Sequence, residues 1–166
     1  MIAAMARYGQ DPIVKFIHWL EDARRARIPN YEAMALATAA RSGKTSVRFV
    51  LLKGIDQRGF MFFTDARSRK GRELRGNLHG SLAFYWQPKG RQVRVEGRIE
   101  EITPAEADAY WPTRPRQSQL AASASHQNAR LRARTELLGR VARLARKFKG
   151  REVSAPAALD GVSRAS

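Results

Sequence analysis

The residues best suited to chemistry in this sequence are cations and hydroxyls placed to hold phosphate groups. Arg69 and Lys70 open a short basic helix predicted directly after the strand-like run FMFFT, and amides at a helix start favour an anion. A second set, Tyr110, Arg114 and Ser118, combines two hydroxyls with a guanidinium, which suits a phosphate monoester. Both sets are equally compatible with an exposed charged surface or a loop between helices.

Groups that perform catalysis themselves are not evident from the residue types. The three histidines, His18, His79 and His126, are far apart and have no metal-ligand spacing, and cysteine is absent. No paired carboxylates share a plausible face, and no G-x-S-x-G nucleophile elbow occurs. A metal site, an acyl-enzyme and an acid–base hydrolase are therefore disfavoured, no catalytic residue is assigned, and an enzymatic reaction here requires a bound cofactor.

The composition limits the class of protein further. The chain has 166 residues, of which 43% are hydrophobic, and a formal net charge of +16, which favours a single domain with an anionic partner. Residues 114–151 hold eleven Lys or Arg against one acid, Glu136, and so carry much of that charge. Because no apolar run is long enough to span a membrane and no secretory signal is evident, we expect a soluble cytoplasmic protein.

The elements that must position the phosphate-binding residues are short strands flanked by helices. Asp11 followed by Pro12 predicts a helix start, and apolar residues then recur at helical spacing until about Arg27. The predicted strands lie at residues 34–40, 46–53, 60–64, 81–86 and 92–102, and further helices at 67–77, 104–111 and 128–148. This pattern predicts a mainly β fold with α additions, built on a small antiparallel barrel.

Arg48 and Lys53 lie on the same predicted strand, SVRFVLLK. Their odd spacing places the two side chains on opposite faces of the sheet unless a bulge or bend intervenes. Whether both can serve one site therefore depends on the local geometry of this strand.

Several motifs taken in series resemble one known family. They are RFVLLK (Arg48–Lys53), FFTDARSRK (Phe62–Lys70), RQVRVEG (Arg91–Gly97) and YWPTRPRQSQLAASASHQ (Tyr110–Gln127), preceded by the helical run DPIVKFIHWLEDA. Over about residues 11–153 the chain resembles the pyridoxamine 5'-phosphate oxidases. That resemblance implies an FMN-binding split β-barrel that works as a homodimer, with the flavin at the subunit interface.

The resemblance also implies roles for individual residues. Four would bind the substrate phosphate, namely Lys53, Tyr110, Arg114 and Ser118. Two would hold the phosphate of FMN, namely Arg69 and Lys70. The other implied cofactor contacts are Arg48, Phe49, Val50, Leu51, Leu52, Lys53, Phe63, Thr64, Gln92, Gln127 and Asn128, with Gln127 reaching the flavin from the partner subunit and Asn128 standing where the family has Ser.

The implied activity is the oxidation of pyridoxamine or pyridoxine 5'-phosphate to pyridoxal 5'-phosphate. A hydride would pass from the substrate C4' carbon to the flavin, and dioxygen would reoxidise the flavin to give hydrogen peroxide. One alternative is a flavin-binding split-barrel protein with another substrate, or one inactivated by truncation. Another is a basic nucleic-acid-binding module that uses the helix within 130–151, although no aromatic stacking platform accompanies its charges.

Both ends of the chain depart from the family. Only ten residues precede Asp11, and after Val153 the sequence reads SAPAALDGVSRAS, where the family continues with a Trp-x-Gly-aromatic-Arg-Val strand and an Arg-Leu-His-Asp-Arg motif. Codons for the tail, read one nucleotide out of register, permit Pro-x-Pro-Pro-His-Trp-Thr-Gly-Phe-Arg-Val. We therefore expect one domain at 1–153 without the family's C-terminal strands, followed by a divergent or frameshifted, disordered tail at 154–166 and weakened flavin retention.

Overall fold

Six antiparallel strands close into a barrel in the computed structural model, which describes residues 11–56, 58–125, 131, 133–155 and, for the backbone alone, 161–165. The strands are β1 (Ala33–Ala39), β2 (Thr45–Asp56), β3 (Gly59–Thr64), β4 (His79–Trp86), β5 (Arg91–Glu101) and β6 (Gly161–Ala165). Around the barrel they follow the order β1-β2-β3-β6-β5-β4. The predicted mainly β fold with α additions is confirmed.

Five α-helices accompany the barrel in the described residues: α1 (Pro12–Arg25), α2 (Arg69–Gly76), α3 (Pro104–Tyr110), α4 (Arg116–Ala124) and α5 (Arg134–Lys147). The predicted helix starts are correct where a capping residue precedes proline, because Asp11 accepts a hydrogen bond from the Ile13 amide and Thr103 forms a capping box with Glu106. Helix α4 was not predicted. No helix of the described residues has the length and apolar character needed to cross a membrane.

Strands β1 and β2, both predicted, pair as an antiparallel hairpin. Its turn passes through Gly43, whose φ of +81° favours glycine. Further along, the pairing of β2 with β3 shifts register between Leu52 and Gly54, which face Phe62 and Met61 respectively. Lys53 is thus the extra residue of a β-bulge, the local irregularity that strand spacing alone left undecided.

Two hydrophobic cores of unequal size hold the chain together. The barrel core packs aromatic residues from α1, β3 and β4, with Phe16 in edge-to-face contact with both Phe60 and Phe84. A second cluster, which we call the helical cluster, has Trp111, Leu120 and Val153 as its buried residues. The helical cluster joins Trp111, α4 and α5 beside β3, and Val141 and Leu144 of α5 pack against it.

The expected disordered tail is wrong for residues 161–165. Strand β6 lies between β3 and β5, with Gly161 opposite Thr64 and Ala165 opposite both Phe60 and Ile99. Sheet pairing uses backbone N–H and C=O groups, so a short segment without proline completes the barrel even though its side chains do not follow the family motif. The edges of β3 and β5 that flank β6 are therefore paired.

Candidate active site

A cleft of about 470 Å³ lies between strands β2 and β3 on one side and helices α3 and α4 on the other. Most of the residues to which the sequence resemblance gave roles converge on it from β2, β3, α2, α3, α4 and the segment between α3 and α4. They are Phe49, Val50, Leu51, Lys53, Phe63, Thr64, Lys70, Tyr110, Arg114 and Ser118. The cleft therefore joins the candidate cofactor residues and the candidate substrate residues in one cavity.

One wall of the cleft, which we call the strand wall, is formed by β2 and is apolar except for Lys53 at one end. Phe49, Leu51 and Lys53 alternate on one face of β2, so all three line the same cavity, whereas Arg48 lies on the opposite face, as the odd spacing predicts. The Lys53 ammonium lies 3.3 Å from a carboxylate oxygen of Glu32. This wall suits a flat apolar ring system with a polar or anionic substituent at the lysine end.

The opposite wall is anchored by an aromatic stack. Phe63 of β3 and Tyr110 of α3 stack with ring centroids 3.4 Å apart and planes inclined by 12°. Burial raises the pKa of the Tyr110 phenol, against the lowering effect of Arg114. The Tyr110 hydroxyl therefore remains protonated at neutral pH and is available to donate a hydrogen bond into the cleft.

Arg114 is held beside the stack by Trp111. The guanidinium lies over the indole ring at 5.3 Å from the centroid. The Trp111 indole N–H donates to the Val153 carbonyl, and the Gln119 side-chain amide donates to the Trp111 carbonyl at 2.9 Å. These contacts fix the chain between Tyr110 and Ser118, so the three predicted phosphate-binding residues are presented by one rigid segment.

Lys70 supplies the cation at the other end of the cleft. Its side chain is on the first turn of α2 and the residue is only 6% exposed. Burial, and then the positive charge of Arg48, lower the pKa of Lys70 to about 8, although Asp65 opposes the shift. A buried ammonium next to a second cation is well placed to attract a dianion.

Other residues predicted for the site lie elsewhere in the structure. Arg48 and Arg69 both pair with Glu73 outside the cleft, and Leu52 is buried in the barrel core. Gln92 is exposed on β5 opposite Tyr85. Their implied flavin contacts stay predictions, as do those of Gln127 and Asn128, which lie outside the described residues.

Sequence reasoning missed the contribution of α4 to the cleft. Its lining residues are Ser118, Ala121, Ala122 and Ser125, the last at the helix end. They recur at the spacing of one helical face, a signal that could have identified both the helix and its orientation. Asp65 and Arg67, which pair at 3.2 Å, also line the cleft and were not predicted.

The arrangement is that of a binding site rather than of a protein-based reaction centre. No group of three or more His, Cys, Asp or Glu able to hold a metal ion occurs among the described residues. The cleft instead offers an apolar wall, a protonated phenol and cations at two places. Such a site can orient an anionic aromatic ligand while a bound cofactor supplies the reactive atom.

A closed antiparallel barrel of this topology with a cleft on its helical side is a split barrel, the fold class of similar solved structures. PhzG from Burkholderia lata 383, solved with tetrahydrophenazine-1-carboxylic acid, matches with a TM-score of 0.89 and 32% identity over 97% of this chain and 78% of that one. A pyridoxamine 5'-phosphate oxidase-related, FMN-binding protein from Nostoc punctiforme shares the fold, with a TM-score of 0.66 and 15% identity over 93% of this chain and 79% of that one.

The chain belongs to the pyridoxamine 5'-phosphate oxidase family. The model of that family matches residues 20–147. A pyridoxine/pyridoxamine 5'-phosphate oxidase of Myxococcus xanthus is 49% identical over 88% of this chain and 71% of its own length. One of the same name from Rubrobacter xylanophilus is 49% identical over 93% of this chain and 72% of its own length.

Proposed function

We propose that this protein is an FMN-dependent oxidase that converts pyridoxamine or pyridoxine 5'-phosphate to pyridoxal 5'-phosphate, with dioxygen as the acceptor. The observation that carries the proposal is the convergence of Lys70 with the set Lys53, Tyr110, Arg114 and Ser118 on one cleft. Cations at two separate places in the cleft, Lys70 at one end and Lys53 with Arg114 at the other, match two phosphorylated molecules, the cofactor and the substrate. The family relationship supplies the reaction type.

The residues present fit FMN. Phe49, Val50 and Leu51 offer an apolar wall for the isoalloxazine ring, and Lys70 offers a buried ammonium for the phosphate. When bound, FMN accepts a hydride equivalent from the substrate and returns two electrons to dioxygen, giving hydrogen peroxide. The chain's own residues bind and orient both partners so that the reacting carbon lies near the flavin.

On the substrate side, Arg114 and Lys53 neutralise the phosphate, and the hydroxyls of Tyr110 and Ser118 donate hydrogen bonds to it. The raised pKa of Tyr110 keeps this donor protonated over the physiological range. With pyridoxine 5'-phosphate, dioxygen gives hydrogen peroxide and the aldehyde. With pyridoxamine 5'-phosphate, water is also consumed and ammonia released.

We further propose a homodimer in which a second copy covers the outer face of β1, β2 and β4. Val47, Phe49 and Tyr85 are 68%, 78% and 66% exposed on this face, and the small residue Ala35 lies between the strands that carry them. An apolar patch of this kind marks a protein interface. Because Phe49 also lines the cleft, a partner seated here would border the flavin site.

The similarity to PhzG suggests a second candidate substrate class, the tricyclic carboxylic acids. A cleft that binds a planar tricyclic carboxylate would also use an apolar wall and a cation, whereas a carboxylate needs fewer donors than a phosphate. The four-residue substrate set in this chain supports the phosphorylated B6 compounds. Comparing the oxidation of pyridoxine 5'-phosphate with that of tetrahydrophenazine-1-carboxylic acid distinguishes the two.

The test is reconstitution of the purified protein with FMN, followed by assay of hydrogen peroxide and pyridoxal 5'-phosphate. Arg114→Gln should raise the KM for the phosphorylated substrate about 10- to 100-fold, since a charge-assisted hydrogen bond contributes about 1.5–3 kcal/mol. The matched control Arg143→Gln removes an equal charge from the exposed side of α5 and should leave KM unchanged. Absence of flavin binding by the wild-type protein, or equal effects of the two variants, would refute the proposal.

A further inference from the structure

A carboxylate is buried at the junction of β1, β2 and α2, outside the cleft. Glu73 of α2 is 7% exposed. Its Oε2 atom accepts hydrogen bonds from the Thr38 and Ser46 hydroxyls, both at 2.5 Å, and its Oε1 atom accepts one from Arg69 Nε at 2.8 Å. Burial would raise the pKa of Glu73, but these donors hold it at about 2. The group is therefore a permanent negative charge.

Arg48 is bound into the same cluster. Its Nη1 donates to the Leu36 carbonyl at 3.1 Å and to the Thr38 hydroxyl at 2.6 Å. Its Nη2 donates to the Ser46 hydroxyl and to Glu73 Oε2, the latter at 3.3 Å. These contacts engage the two terminal nitrogens of the guanidinium, and a guanidinium has one further N–H, on Nε.

Helix α2 connects the Glu73 cluster with the cleft. Glu73 and Lys70 are on the same short helix, one turn apart, and Lys70 points into the cleft whereas Glu73 faces β1 and β2. The charge of Arg48 acts on the Lys70 ammonium, so the two cations are close. Any shift of Arg48 or α2 would thus change the cationic end of the cleft directly.

We propose that Glu73 is a positioning residue that holds Arg48 and helix α2 in the arrangement needed to bind the phosphate of the cofactor. Glu73 does not itself contact the ligand. It accepts a hydrogen bond from Arg48 Nη2 directly. It also orients the Thr38 and Ser46 hydroxyls, which donate to Glu73 and accept from Arg48 Nη1 and Nη2 respectively, so that the charge of Arg48 stays beside Lys70. This inference rests on the proposed FMN binding and adds a residue to which the family resemblance gave no role.

A positioning role of Glu73 and simple charge repulsion predict opposite changes in FMN affinity when Glu73 is neutralised. As a bare negative charge near an anion site, Glu73 would repel the phosphate, and its neutralisation would strengthen binding. As a positioning residue, its loss releases Arg48 and weakens binding. The dissociation constants of FMN and of riboflavin, which lacks the phosphate, should therefore be measured for the wild-type protein and for Glu73→Gln.

We expect Glu73→Gln to weaken FMN binding about tenfold or more, the effect of losing one charge-assisted hydrogen bond, with riboflavin binding unchanged. A purely structural defect would weaken both ligands equally. Glu136→Gln is the matched control, because Glu136 pairs with Arg140 on the surface of α5, away from the cleft. It should change neither dissociation constant.

The route through Arg48 is tested by combining variants. In an Arg48→Met background, adding Glu73→Gln should cause little further loss of FMN affinity, since the arginine that Glu73 positions is gone. Should Glu73→Gln not fold, Ser46→Ala removes the hydroxyl that donates to Glu73 and accepts from Arg48. It should show the same selective loss for FMN, to a smaller extent.

Each outcome decides a different point. A wild-type protein that binds neither flavin overturns the proposed function and this inference with it. A wild-type protein that binds FMN, together with a Glu73→Gln variant of equal or higher FMN affinity, overturns this inference alone. Additive losses in the double variant would likewise exclude action through Arg48.

Discussion

The barrel core and the helical cluster hold the two walls of the cleft in different ways. The barrel core interlocks large side chains from α1 and from several strands, among them Phe62, Phe84 and Trp86. The helical cluster has three buried hydrophobic residues and depends on hydrogen bonds that cross between segments. One of these runs from the Arg116 guanidinium to the Arg151 carbonyl at 2.9 Å.

Because the two cores differ in buried apolar packing, the two walls of the cleft should differ in local stability. The strand wall, with the candidate flavin residues Phe49 and Leu51, belongs to the barrel. The helical wall, with the candidate substrate residues Tyr110 and Arg114, depends on the smaller cluster. Regions with fewer buried apolar contacts open locally at lower free energy, so the helical wall should open before the strand wall.

The largest effect is expected from breaking the barrel core. Phe84→Ala removes a fully buried ring that contacts Phe16, Phe60 and Trp86. It should lower the free energy of unfolding by about 3–5 kcal/mol, the usual cost of truncating a buried aromatic residue. Denaturant unfolding followed by circular dichroism measures this loss, and a change below about 1 kcal/mol, the level of ordinary substitutions, would contradict the assigned core.

A smaller and more local effect is expected in the helical cluster. Trp111→Phe keeps an aromatic ring but removes the indole donor to the Val153 carbonyl, at a cost of about 1–3 kcal/mol for an unsatisfied buried group. Amide hydrogen exchange should accelerate in residues 104–125 and not in the barrel strands. The KM for the phosphorylated substrate should rise while FMN affinity is retained. Equal acceleration in both regions would show that the two cores unfold as one.

The cationic end of the cleft, formed by α2, should show a pH dependence set by Lys70. Its pKa is lowered to about 8 from 10.5, and a bound dianion favours the ammonium form. Binding of FMN therefore takes up a proton above pH 8, and the ratio of FMN to riboflavin affinity should fall as pH rises through that value, by up to about tenfold per pH unit. Lys70→Met should abolish this dependence. A ratio that stays constant from pH 7 to 9 would exclude Lys70 as the phosphate ligand.

The smallest effect is expected on the exposed side of α5. Glu136→Gln removes an i,i+4 ion pair with Arg140 and should change the free energy of unfolding by about 0.5 kcal/mol or less. Thermal unfolding of this variant beside Trp111→Phe shows whether α5 is stabilised by its packing on α4 or by its surface charges. A loss as large as that of Trp111→Phe would favour the charges.

Sequence patterns predicted elements best where a local signal was strong. Asp11 and Thr103 are capping residues beside proline, and their helices start where predicted. The strands are predicted within a few residues, because β-branched and aromatic runs are bounded by turns. Of the helix predicted at 128–148, residues 134–147 are helical and residues 131 and 133 are not, while residues 128–130 and 132 lie outside the described residues. Leu144 packs in the helical cluster, whereas Leu138 is exposed.

By itself the sequence determined the class of the protein: its motifs match one family, and residue types that bind phosphate accompany them in order. Only the tertiary structure decided which of those residues share a cavity. The bulge at Lys53 and the burial of Glu73 depend on contacts between strands and helices distant in the chain, which no local pattern encodes. For the same reason the structure alone separated Lys70, facing the cleft, from Arg48 and Arg69, which pair with Glu73.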